Sequence, residues 1–138
     1  MGGPGILENG RFIDEFDNFY LCKFMYNGMM WRSSEHLYQA LKFKDPAYQT
    51  EINREKECYY DLGQSRKHAL IDDFENKKEE LMYIANREKF SQNQRLKTIL
   101  VTTTGSITFR KSSPFWNLTN ARILMRLRGE FIQDSIVA

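Results

Sequence analysis

Apolar residues recur at helical spacing through most of this chain. Leu37, Ala40, Leu41 and the stem of Lys44 follow an i, i+3, i+4, i+7 pattern and predict a helix with one core-facing stripe. Ser33 or Ser34 stands where a serine oxygen can accept an orphan N–H of the first turn. Asp45-Pro46 closes that helix and opens a second, since aspartate caps and proline suits the first helical position. The second is predicted through Ile52 toward Tyr59, with Gly63 as its stop. A basic connector, Gln64 to Leu70, leads to Asp72 or Asp73 as the cap of a third helix, marked on one side by Phe74, Lys78, Leu81, Met82 and Ala85. Ser91-Gln92-Asn93-Gln94 separates it from a short helix holding Leu96, Ile99 and Leu100. Thr102-Thr103-Thr104-Gly105 breaks the chain, and Ser106 to Arg110 reads as a strand. Ser112-Ser113-Pro114 reads as a loop leading to Phe115 and Trp116, and a last amphipathic helix carries Ile123, Leu124, Leu127 and Phe131.

Strand signals are few. Asn27-Gly28 between Lys23-Phe24-Met25-Tyr26 and Met29-Met30-Trp31 predicts a hairpin, because both turn positions favour positive φ. Phe12 to Tyr20 is dense in aromatics without a clean period and reads as an extended or looping segment laid on a core. Residues 1–10 begin with a Gly-rich run and are expected to be a flexible N-terminus. Residues 11–138 then form one multihelical, mostly α domain with a short β-hairpin as its small β element.

Composition narrows the class. The 138 residues are 41% hydrophobic and 14% aromatic, enough for one real core. No apolar run approaches the roughly 20 residues that span a bilayer, so no membrane partner is expected. Cys22 and Cys58 match neither a metal pattern nor a disulfide framework and read as reduced thiols of a cytoplasmic protein. The only histidines, His36 and His68, make no zinc set, and no Gly-rich phosphate loop is present, so no metal or cofactor is called for. Net charge is +2, yet Arg110, Lys111, Arg122, Arg126 and Arg128 follow one another with no acid among them. That basic C-terminal segment is either a solvated face or a surface for a DNA or protein partner.

Candidate chemistry gathers at the start of the first helix. At about 100° per residue, Glu35, Gln39 and Lys42 share a narrow arc with Tyr38 beside it. Helix geometry alone favours a solvated polar face. The competing arrangement is a carboxylate in a pocket walled by Asn18, Phe19 and Trp31. A first-turn carboxylate is favoured as the anion by the helix dipole, whereas burial beside Trp31 raises its pKa. The first outcome suits activation of water and the second suits proton donation to a leaving group. Phe19, Trp31, Phe74 and Trp116 are ring-stacking candidates, and Lys78 lies one turn after Phe74.

Together these stretches resemble the NADAR family, in its YbiA-like branch. The match runs from about Glu15 to Arg128. It includes Phe16-Asp17-Asn18-Phe19, the hairpin, and the segment from Trp31 to Phe43 with Ser34-Glu35-His36 at its centre. Gly63-Gln64-Ser65-Arg66, Lys78 with Met82, Lys89-Phe90-Ser91-Gln92-Asn93 and Leu124-Met125-Arg126-Leu127-Arg128 follow. The resemblance implies a mainly helical fold and N-glycosidase activity on ribosylamino intermediates or on ADP-ribosylated guanine in nucleic acid, with Glu35 catalytic. Phe74 stands where the family usually has Trp, Arg110 where it has an acid, and Leu118-Thr119-Asn120-Ala121 where it has Asn-x-Leu-Gly.

The reading that follows is cleavage of a ribose C–N bond in a nucleotide-like small molecule or ADP-ribosylated nucleic acid. Glu35 is the catalytic group. Asn18, Ser34, Gln39 and Lys42 bind ribose or phosphate, Phe19, Trp31, Phe74 and Trp116 flank a ring, and Arg66 and Lys78 neutralise phosphate. The alternative is a catalytically impaired relative that binds nucleotide, nucleic acid or protein.

Overall fold

A computed structural model describes residues 2–137. The elements are β1 (Gly5–Leu7), β2 (Phe12–Ile13), a 3-10 turn (Asp14–Phe16), β3 (Phe24–Tyr26), β4 (Met29–Trp31), α1 (Ser34–Leu41), α2 (Pro46–Arg54), α3 (Tyr59–Leu62), α4 (Phe74–Ser91), α5 (Gln94–Thr102), β5 (Ile107–Thr108) and α6 (Pro114–Val137). The domain is multihelical with two small β elements. No helix among the described residues is long and apolar enough to cross a membrane.

α1 is the hub. It packs on α4, α2 and α3, while α4 packs in turn on α5 and α6. Every residue from Ser34 to Ala40 is therefore buried, polar arc included, and the solvated face expected from helix geometry is not there. Leu37, Phe43, Ile52, Met82, Phe90, Leu100 and Leu127 are sealed in one continuous core. Each such side chain contributes on the order of 1.5–3 kcal/mol of burial free energy.

The Asn27-Gly28 hairpin forms as predicted, with φ of 56° and 77° at its turn and Phe24 opposite Trp31. Such a short hairpin is marginal alone. Gln92 holds one edge through both its amide atoms, accepting from Met25 N and donating to Met25 O at 2.8 Å each. Asn53 Nδ2 donates to Met30 O on the other edge at 2.7 Å.

Four boundaries differ from the sequence reading. Part of the stretch expected to be flexible is the central strand of a sheet ordered β2-β1-β5, with Ile6 paired to Phe12 and Thr108. One partner, β5, is about a hundred residues away, and each strand is two or three residues long, so no period revealed it. Gly5 is buried against Phe16, where a Cβ would overlap the ring. Position 1 lies outside the described residues. The second helix stops at Arg54, and Tyr59–Leu62 is a separate turn of helix. Asp73 precedes α4 in the left-handed region at φ 57° and makes no side-chain cap to the backbone. Its carboxylate instead accepts from Asn76 Nδ2 at 2.7 Å. Finally, Phe115 and Trp116 lie inside the first turn of α6 rather than before it, because Pro114 occupies a position that needs no N–H partner.

Two arginines of the basic C-terminal segment are paired with acids. Arg122 makes a two-pronged pair with Glu79 at 3.0 and 2.7 Å, and Arg126 meets Glu80 and Glu130. Arg128 binds Thr103 Oγ1 and Gly105 O beyond the end of α5. Glu79 and Glu80 come from α4, forty residues and more away in sequence, while Glu130 lies one turn further along α6 itself.

Candidate active site

Ser33 caps α1 with its hydroxyl, accepting from His36 N at 3.0 Å. Ser34 Oγ is then free to point elsewhere, donating to the Asn18 carbonyl and side-chain oxygens at 3.1 and 2.9 Å. Glu35 N also reaches Asn18 O, at 2.9 Å. The turn Asp17-Asn18-Phe19 thus sits on the N-terminal end of α1, held by groups that a first helical turn leaves over.

This turn is clamped from three helices. Asn18 Oδ1 accepts from Asn86 Nδ2 of α4 at 3.0 Å, and Asn18 Nδ2 donates to Asn120 Oδ1 of α6 at 3.1 Å. Lys89, one turn after Asn86, is fully buried and donates to Asp17 O at 2.9 Å. Burial pushes its ammonium down to about 8, opposed by Cys22 and then by the carboxylates of Asp17 and Glu15. Asn86, Lys89 and Asn120 were not singled out as site residues. The i, i+3 spacing of Asn86 and Lys89 on a helix was the available signal.

The carboxylate of Glu35 has no solvent exposure. Gln39 Nε2 donates to its Oε2 at 2.5 Å, and its Oε1 has no hydrogen-bond partner among the described residues. Desolvation raises the pKa from 4.5 to about 7, opposed by the Gln39 hydrogen bond and by the Lys42 charge. Asp17 adds a smaller upward push. The two effects weighed from sequence, dipole and burial, are thus decided by burial.

Lys42 does not touch Glu35. Its Nζ donates to Gln39 Oε1 at 2.9 Å and to Gly63 O at 2.5 Å, so the Gln39 amide lies between ammonium and carboxylate. Gln64 Nε2 adds a second contact to Gln39 Oε1 at 3.2 Å. Burial lowers the Lys42 pKa, opposed by Glu35. His36 is occupied on both nitrogens: Nδ1 faces Arg32 N at 3.3 Å, and Nε2 meets the Ile52 carbonyl at 2.9 Å. It is therefore the neutral tautomer protonated on Nε2, consistent with a pKa lowered by burial.

The remaining candidates divide. Asn18, Ser34, Glu35, Gln39 and Lys42 form one connected cluster. Tyr38, buried with its phenol pKa raised by desolvation and then by Glu35, meets Trp116 edge-to-face at 5.4 Å. Trp116 in turn meets Phe115, and Lys78 Nζ lies 4.3 Å from the Phe115 ring while pairing with Glu75 at 2.7 Å. Phe19 is 40% exposed and faces Tyr60 of α3 at 6.0 Å. Trp31 is in the core, donating Nε1 to Tyr26 O at 3.0 Å and packing on His36. Phe74 is packed against the same core, and Arg66 is exposed without a partner among the described residues. Hairpin closure took Trp31 inward, because position 31 pairs with Phe24 on the buried side.

No group of three or more His, Cys, Asp or Glu among the described residues could hold a metal ion. A sealed carboxylate with one tethered and one free oxygen, poised near neutral pH, is equipped for proton transfer.

The fold and this cluster place the molecule in a known class. A family model, the NADAR domain, matches residues 10–119, and the chain belongs to the NADAR family. Among individual relatives, N-glycosidase YbiA of Escherichia coli (strain K12) is 35% identical over 91 residues, covering 64% of this chain and 57% of that protein. The match thus spans little more than half the length of that relative. Riboflavin biosynthesis protein VVA0006 of Vibrio vulnificus (strain YJ016) is 33% identical over 136 residues, 89% of this chain and 36% of that protein. The NMR structure of E. coli YbiA superimposes with a TM-score of 0.77 at 27% identity, covering 89% of this chain and 80% of that one.

Proposed function

We propose that this protein is an N-glycosidase that hydrolyses a ribose C–N bond in a nucleotide-like substrate, an ADP-ribosyl adduct or a ribosylaminopyrimidine phosphate. The observation that carries the reading is the carboxyl of Glu35, buried, with a pKa of about 7 and one oxygen without a partner. An acid catalyst works best when its pKa lies near the working pH.

In the protonated form, Glu35 donates its proton to the leaving nitrogen as the C1′–N bond breaks and its electron pair goes to nitrogen. Positive charge develops at C1′, and the new carboxylate beside it is stabilising. Water then adds at C1′ and returns a proton to Glu35. Gln39 holds Oε2 throughout, leaving Oε1 to exchange the proton. Asn18 and Ser34 fix the turn that faces the ribose, and Trp116 with Phe115 and Lys78 supplies aromatic surface and positive charge for base and phosphate.

The test is incubation of ADP-ribosylated DNA and of a ribosylaminopyrimidine phosphate with the wild type and with Glu35→Gln. Release of base or pyrimidine by the wild type, reduced by two orders of magnitude or more in the variant, is the expected result. Equal release from both proteins removes Glu35 from the chemistry.

A further inference from the structure

The polar atoms of Gln39 and Lys42 are spent on each other and on the turn after α3, which changes what they can do. A side-chain amide can present either its oxygen or its nitrogen to a carboxyl group. Here the oxygen of Gln39 is claimed by Lys42 Nζ at 2.9 Å and Gln64 Nε2 at 3.2 Å, so the nitrogen is turned to Glu35. Lys42 is itself directed by the Gly63 carbonyl. Gly63 must approach this closely: a Cβ there would overlap the Gln39 amide oxygen, and it sits at φ −66°, where no backbone strain calls for glycine. The glycine is required by space rather than by its dihedral angle.

We infer that Lys42, Gly63 and Gln64 form an amide lock: they hold Gln39 in the one orientation that donates to Glu35, and so set the acidity of Glu35 without touching it. These are positioning residues. The inference rests on Glu35 being the acid of the proposed reaction, but its test does not need turnover. A lock that favours the carboxylate lowers the titration midpoint of Glu35, because a hydrogen bond to the charged form favours that form. Breaking the lock lets the amide rotate or withdraw, and the midpoint rises.

The experiment is an NMR titration of protein labelled with 13C at the glutamate carboxyl and 15N at the glutamine side chains. Glu35→Gln and Gln39→Met identify the two resonances. In the wild type, the Gln39 amide protons follow the Glu35 titration. In Lys42→Met and in Gly63→Ala the Glu35 midpoint moves up by about one pH unit, and the Gln39 protons cease to follow it. Loss of the Lys42 charge alone would move the midpoint while leaving Gln39 coupled to it, so continued coupling in Lys42→Met overturns the proposal. An unmoved midpoint in either folded variant overturns it as well. If Gly63→Ala does not fold, Lys42→Met decides, since methionine fills the same buried volume. A wild type that releases neither product removes the glycosidase reading but leaves this titration intact.

Discussion

Replacing Glu35 with glutamine should make this protein more stable, and only above a definite pH. The side chain is sealed and its pKa is raised from 4.5 to about 7. Below pH 4.5 the carboxyl is neutral whether the chain is folded or not, so it imposes no ionisation penalty. Between 4.5 and about 7 the unfolded chain loses the proton and the folded one keeps it, so stability falls as pH rises. Above about 7 the penalty is complete. At about 1.36 kcal/mol per pH unit, a carboxyl moved from 4.5 to about 7 costs the fold about 3 kcal/mol once ionised. Glutamine keeps the shape, never ionises, and can still accept from Gln39 Nε2. Urea denaturation of both proteins at pH 4.5, 6 and 8.5 reads the difference directly. Glu35→Gln should gain about 3 kcal/mol on the wild type between the lowest and highest pH, or about 10 °C in Tm for a domain of this size. A stability difference between the two proteins that is the same at all three pH values would refute the reasoning, since it would mean that Glu35 titrates alike in folded and unfolded chains.

Lys89 should show the opposite dependence. Its folded pKa is depressed to about 8 from 10.5, so stability is lost as pH falls from 10.5 toward about 8, below which the penalty is complete. The wild type should gain stability between pH 7 and 9.5, and Lys89→Met should lack that gain in chemical denaturation at the two pH values. Trp31→Phe removes the donor to the Tyr26 carbonyl inside the core, and should cost about 1–3 kcal/mol in denaturant while leaving KM unchanged. A raised KM with unchanged stability would instead put Trp31 against substrate.

The two titrations act in adjacent windows and pull against each other. Glu35 weakens the fold as pH rises from 4.5 toward 7, and Lys89 weakens it as pH falls from 10.5 toward about 8. A buried carboxyl and a buried ammonium, neither in a direct ion pair, are costly in a core of this size. Both flank the Asn18 turn, Lys89 through Asp17 O and Glu35 through Asn18 O. Stability is thus given up around one loop, which is where an active site is expected to concentrate it.

Local signals were legible in the residues alone. The Asn27-Gly28 turn, the Ser33 cap, the Asp45-Pro46 junction and the helical stripe through Leu37 are each written within a few residues, because turn dihedrals and caps depend on neighbours. The family resemblance rested on the same local run around Ser34-Glu35-His36, and it is now supported by the NADAR match over residues 10–119. What sequence could not weigh was exposure. A polar arc reads as solvated when one helix is considered, and α1 is enclosed by α2, α3 and α4. The same limit applies to Arg122 and Arg126 of the basic C-terminal run, which pair with acids of α4, and to β1, whose partner strand β5 is about a hundred residues away.

The sequence by itself determined that the chain is mostly helical, where the hairpin turns, how α1 is capped, which family the chain resembles, and that a carboxylate opens α1. Only the tertiary structure decided what that carboxylate is. Its pKa depends on which distant groups exclude water from it. Its free oxygen depends on an amide held by a lysine four positions from no acid but one turn from Gln39, and by a glycine on another element. Burial and hydrogen-bond direction are properties of contacts between segments, and the order of residues along one segment does not contain them.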